Sequence, residues 1–81
     1  MPQQSVTVNG RTYVLYPVET YTVNPDYLPT LNNVQVGMLQ WAGNGETHFN
    51  YHAYDMLEEF LGDFPDYTTA VGGLDAKLYP V

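Results

Sequence analysis

Five carboxylates crowd one short stretch of this chain. Asp55, Glu58, Glu59, Asp63 and Asp66 lie close together, with Tyr51, Tyr54 and Tyr67 among and beside them. Carboxylates without basic neighbours attract cations, and a pair flanking a bond can act as acid and base. Just upstream, His48 and His52 are spaced i, i+4, and Asp55 follows three residues later. On a continuous helix these three would share a face and could hold zinc. Two features count against that reading. Asn50 has the character of a helix cap, which leaves His48 outside, and the zinc-protease pattern needs a Glu where Phe49 stands. No metal and no cofactor is expected.

Other catalytic chemistry is poorly supplied. Ser5 is the only serine and lies in a strand near the N-terminus, and there is no cysteine. Gly43-Asn44-Gly45 lacks the lysine and the spacing of a phosphate loop. The helical carboxylates would sit on a convex surface rather than in a cleft. The chain is expected not to be an enzyme.

A helix over 51–61 is the element that must position the acidic groups. Asn50 is its N-cap and Gly62 its C′ residue, and Pro65 opposes continuation. At 100° per residue Ala53, Met56, Leu57 and Phe60 form its apolar sector, with Tyr54 and Leu61 at the edge. Asp55, Glu58 and Glu59 fall opposite. Asp55 and Glu59 stand about 6 Å apart along the axis, and Asp63 and Asp66 extend the band beyond the helix end. Such a band works against helix stability, since like charges at i, i+4 cost roughly 0.2–0.5 kcal/mol. A docked cation would remove that penalty.

The strands around it read as follows. Asn9-Gly10 is the preferred pair for a two-residue type I′ turn, and alternating segments flank it. That turn sets Val8 opposite Arg11, Val6 opposite Tyr13 and Gln4 opposite Leu15, with Val6, Val8, Tyr13 and Leu15 on the core face. Pro17 ends or bends the second strand. Residues 18–23 read as a third strand, 24–31 as an irregular loop marked by Pro25 and Pro29, and 34–41 as a central strand. Residues 67–71 and 74–79 read as short strands around Gly72-Gly73. The expected fold is α+β: a small antiparallel sheet of four to five strands, opened by an N-terminal hairpin, with one amphipathic helix packed on one face.

Composition bounds the function. With 81 residues there is room for one domain, 1–81. A hydrophobic share of 44% and an aromatic share of 15% suit a folded globule. Nine carboxylates face only Arg11 and Lys77, for a net charge of −7. A field of that sign repels nucleic acid, anionic lipid and phosphorylated metabolites, and it favours a basic protein surface. The absence of cysteine, of a basic start before an apolar run, and of the roughly 20 apolar residues of a membrane span places the expected location in the cytoplasm. Eight tyrosines exceed what so small a core buries, and tyrosine beside carboxylate suits an arginine-rich partner.

In size, charge and lack of cysteine the chain resembles the small acidic inhibitors carried by bacteriophages, such as anti-CRISPR proteins and other DNA mimics. The resemblance implies a stoichiometric inhibitor, acting in a bacterial host cell, whose carboxylates occupy a basic groove that otherwise holds nucleic acid, for instance on a CRISPR–Cas effector subunit. It carries no sequence motif, so it transfers no residue. The carboxylates named above would then mimic charge, and Tyr51, Tyr54 and Tyr67 would make contacts. The alternatives are an assembly module that self-associates through a strand edge, and a metal-binding enzyme built on His48, His52 and Asp55. The inhibitor reading requires an acidic band that is gathered, exposed and unmatched by Arg11 or Lys77.

Overall fold

Local turn chemistry starts the fold. In the computed structural model, which describes residues 3–19, 21–43 and 49–80, Asn9 and Gly10 take φ of 50° and 80° and join β1 (Gln4–Val8) to β2 (Arg11–Pro17). The register pairs Gln4 with Leu15, Val6 with Tyr13 and Val8 with Arg11, as the turn requires. Val6, Tyr13 and Leu15 are buried.

The third strand is not at 18–23. Tyr21 and Val23 are 87% and 81% exposed, and the described residues there form bends and turns. The strand is β3 (Tyr27–Leu31), inside the stretch expected to be a loop. Pro29 is tolerated because β3 meets its neighbour β5 through only one paired residue, Tyr27 with Leu39. Asn32 and Asn33, at φ 53° and 66°, then turn the chain into the two-residue β4 (Val34–Gln35), which folds back on β3. β5 (Gly37–Gly43) follows, antiparallel to β3.

The expected helix over 51–61 does not exist. β6 (Phe49–Asp55) and β7 (Phe60–Phe64) form a hairpin there, joined by residues 56–59, with a register shift at Ala53/Tyr54. Apolar residues at helical spacing also alternate, and alternation won: Tyr51, Ala53 and Asp55 are buried while Asn50, His52 and Tyr54 are half-exposed. The buried charge at Asp55 disguised the pattern.

The one helix among the described residues, α1 (Tyr67–Leu78), occupies the region expected to hold two short strands. Asp66 caps it, its side chain accepting from the Thr69 amide at 2.8 Å. Ala70, Val71 and Leu74 face inward, and Tyr79 closes the end by donating its amide to the Asp75 carbonyl at 2.8 Å. Position 73 of the helix is a glycine because the Phe64 ring lies where a Cβ would project.

The architecture is therefore α+β, with an antiparallel sheet that has seven strands among the described residues rather than four or five. The order is β1-β2-β3-β5-β6-β7, with β4 alongside β3. α1 packs on one face, against β6, β7, β1 and β5. The core between them holds Val6, Tyr13, Leu15, Tyr27, Leu39 and Tyr51. Among the described residues no helix is long and apolar enough to cross a membrane.

Candidate functional site

The acidic band expected on a helix is dispersed, and most of its members have structural partners. Asp55 is 8% exposed and anchors the β6–β7 turn: its Oδ1 accepts from the amides of Leu57 at 2.9 Å and Glu59 at 3.0 Å. Glu59 accepts from Lys77 Nζ at 2.9 Å. Asp63 pairs with His52 across the hairpin. Asp66 is a helix cap. Tyr51 is buried beside Trp41, Tyr27 and Tyr67, with its hydroxyl donating to the Pro25 carbonyl at 3.4 Å, and Tyr67 packs on Tyr27 and Tyr51. Burial first, then Tyr27 and Asp26, push the Tyr51 hydroxyl up to about 12. Tyr51 is buried and Tyr67 half-exposed.

What remains together is Glu58 and Tyr54, on the sheet face opposite α1. Strand alternation places Met38, Gln40 and Ala42 of β5 and Asn50, His52 and Tyr54 of β6 on that face, alongside Val14, Leu28 and Thr30 of β2 and β3. None of these is buried. Met38, Gln40, Tyr54 and Glu58 line an open groove of about 320 Å³, a volume in the range of ligand clefts. The Tyr54 ring is braced by Phe60, whose centroid is 5.5 Å away, and Phe60 also meets the His52 ring edge-on at 5.7 Å.

The turn fixes the backbone from which the exposed Glu58 side chain projects. Its φ is 61°, in the left-handed region where a side chain costs energy, and the Asp55 carboxylate and backbone hold it there. The Glu58 amide donates to the Asp55 carbonyl at 3.0 Å. The same turn leaves Leu57 87% exposed and Met56 56% exposed. No lysine or arginine lies on this face among the described residues, because the chain has only two and both are engaged on the other side.

Arg11 and Asp75 form the molecule's second polar centre, one the sequence reading did not assign. Asp75 is 1% exposed, and four donors converge on it. Arg11 donates from Nε at 2.6 Å and from Nη2 at 3.0 Å, Tyr13 from its hydroxyl at 2.5 Å, and Asn9 from Nδ2 at 3.2 Å. The Arg11 guanidinium also lies 4.0 Å over the Tyr79 ring. Its hydrogen bonds hold the Asp75 carboxyl well below the usual carboxylate range, against the opposing effect of burial. Burial, then the Asp75 charge, push Tyr13 up to about 12. An arginine in a hairpin and a lone aspartate on a distant segment, each without a local partner, were the available signal.

Among the described residues no group of three or more His, Cys, Asp or Glu is placed to hold a metal ion. His48 lies outside the described residues, and His52 and Asp55 point to opposite faces of β6. Comparison with protein-family models, curated proteins and solved structures gives no match.

Proposed function

We propose that this chain is a non-enzymatic binding protein that docks the open face of its sheet on a basic protein surface. The surface is of the kind that holds nucleic acid, and docking there excludes the nucleic acid. A stoichiometric inhibitor of a bacterial nucleic-acid-handling complex, such as a CRISPR effector, is the form of this function the resemblance implies. One observation carries the proposal. The chain has a net charge of −7 and spends both of its cations on internal ion pairs, Arg11 with Asp75 and Lys77 with Glu59. Apart from His52, which pairs with Asp63, no basic side chain among the described residues partners a carboxylate of the open face.

The proposal no longer rests on a helical acidic band, which does not form. The docking patch consists of Glu58 at the edge of the open face, Tyr54 and Phe60 beside it, and the apolar turn tip at Met56 and Leu57. A half-exposed aromatic and aliphatic surface with an acidic rim has the composition of a docking patch for a cationic partner.

The test uses the immobilised chain against a panel of purified nucleic-acid-binding proteins at low salt. At least one should bind, be released by raised salt, and be displaced by duplex or single-stranded nucleic acid. Two variants with the same change in net charge then locate the site. Glu58→Gln should weaken capture, whereas Thr68→Lys, exposed on the helix side, should weaken it far less. Capture indifferent to salt and to nucleic acid, or equal losses in the two variants, would overturn the proposal.

A further inference from the structure

The open groove and the Arg11 site are built from the same kinds of group, and only one of them holds a cation. Around Arg11 there is a carboxylate approached by two guanidinium N–H groups, a tyrosine hydroxyl beside it, and a tyrosine ring 4.0 Å beneath the plane. In the groove a carboxylate (Glu58), a tyrosine (Tyr54), a thioether (Met38) and a side-chain amide (Gln40) line the walls. Resting on the binding function just described, we propose that this groove receives an arginine side chain of the partner.

Each wall matches part of that side chain. Arginine has an apolar stem and a planar head that stays charged. Met38 and the Tyr54 ring offer apolar surface for the stem and a face on which the head can stack. Glu58 offers the carboxylate that a guanidinium fork engages through two parallel hydrogen bonds, and Gln40 offers a carbonyl oxygen for a remaining N–H. A lysine would reach the same carboxylate but could neither stack as a plane nor bind it in bidentate fashion. Phosphate or carboxylate ligands are excluded by the sign of Glu58 and of nearby Asp63.

The groove is also prepared for its occupant. The left-handed backbone at Glu58 is held by two hydrogen bonds to the Asp55 side chain, and Phe60 fixes the Tyr54 ring from the side. Little ordering is then left to be done on binding, which is how a shallow site gains affinity.

The test titrates the isotope-labelled full chain with a tetra-arginine peptide and follows the methionine methyl and tyrosine ring resonances. The Met38 methyl and the Tyr54 ring should shift with one common binding curve, while the ring of Tyr13, buried under the opposite face, shifts little. Tetra-lysine should bind more weakly by about threefold or more. Glu58→Gln should weaken tetra-arginine by about tenfold, a loss of about 1.4 kcal/mol, with the rest of the spectrum unchanged to show an intact fold. Tyr54→Leu tests the stacking wall, and its affinity should fall while Glu58 is still present. If tetra-arginine saturates the protein and Met38 does not move, or if Glu58→Gln binds as tightly as the parent, the groove is not an arginine site. That failure leaves the broader proposal standing where a basic protein is still captured and displaced by nucleic acid. If neither the peptide nor any basic protein binds, both fall.

Discussion

Two carboxylate–tyrosine sites sit on opposite faces of one sheet, and they differ in whether they are closed. At Asp75 every lone pair has a donor, water is excluded, and the ion pair ties the β1–β2 turn to α1 across 64 positions of sequence. At Glu58 the carboxylate stands on a backbone held in an unfavourable conformation and lines an open groove. The closed site consumes its electrostatic potential in holding the fold together. The open one leaves Glu58 exposed, where we propose that a partner docks. Equal chemistry does not mean equal role: the number of donors already in place decides it.

The largest test of that contrast removes one carboxylate at a time. Asp75→Ala leaves Arg11 and the Tyr13 hydroxyl without their partner and should cost about 3 kcal/mol or more. In a domain of this size that lowers the melting temperature by on the order of 10 °C or more. Glu58→Gln should stay within about 0.5 kcal/mol of the parent. Equal melting temperatures for the two variants would erase the distinction.

Acid should dissolve the closed site gradually. The folded Asp75 has a depressed pKa, so below the unfolded value of about 3.9 the unfolded chain binds the proton more readily. Its contribution is therefore full at neutral pH and is lost as pH falls from about 4 through the folded value. Denaturant midpoints measured down that range should drop more steeply for the parent than for Asp75→Ala. At the other extreme Tyr13 and Tyr51, both raised to about 12, should hold their protons beyond the ordinary tyrosine range, and stability should fall as pH rises from about 10 through 12. A spectrophotometric titration showing all eight tyrosines ionising together would contradict this.

A smaller effect separates the two glycines of the helix that delivers Asp75. Gly73→Ala should destabilise by about 1 kcal/mol or more, because the new methyl meets the Phe64 ring. Gly72→Ala meets nothing within 4 Å and should stabilise by about 0.5–1 kcal/mol through helix propensity. Chemical denaturation of the pair reads the sign directly.

The smallest change is expected at the open site itself. Glu58→Gly relieves the left-handed strain, and its greater unfolded-state entropy offsets part of the gain, so stability should rise by no more than about 1 kcal/mol. Arginine binding should be lost in the same variant. A protein that melts higher and binds less would mark Glu58 as a residue kept for its contact. A variant that loses stability would show the turn serving the fold.

Legibility followed the range of the interactions. The first hairpin, with its register, was readable because Asn9-Gly10 and the flanking alternation decide it within a dozen residues. The segment 51–61 was misread because its apolar residues satisfy both periods, and Asn50 and Gly62 imitate helix caps. Gly62 instead has φ 142° in β7, beside the register shift. α1 was missed because Gly72-Gly73 looks like a turn and because Asp75, at an inward position, breaks the apolar stripe. Asp66 followed by Thr69 was the one local sign of its start, and it had been counted as surface charge. Of the expected site residues, Glu58 and Tyr54 share the groove, while Asp55, Glu59, Asp63 and Asp66 are occupied in the fold.

The list of side chains alone settles the charge balance and the first turn, since each depends on counts or on neighbours along the chain. Which carboxylates remain available is a different matter. It depends on which donors reach them, and Arg11 and Lys77 reach theirs only after sheet and helix have brought distant segments within 3 Å.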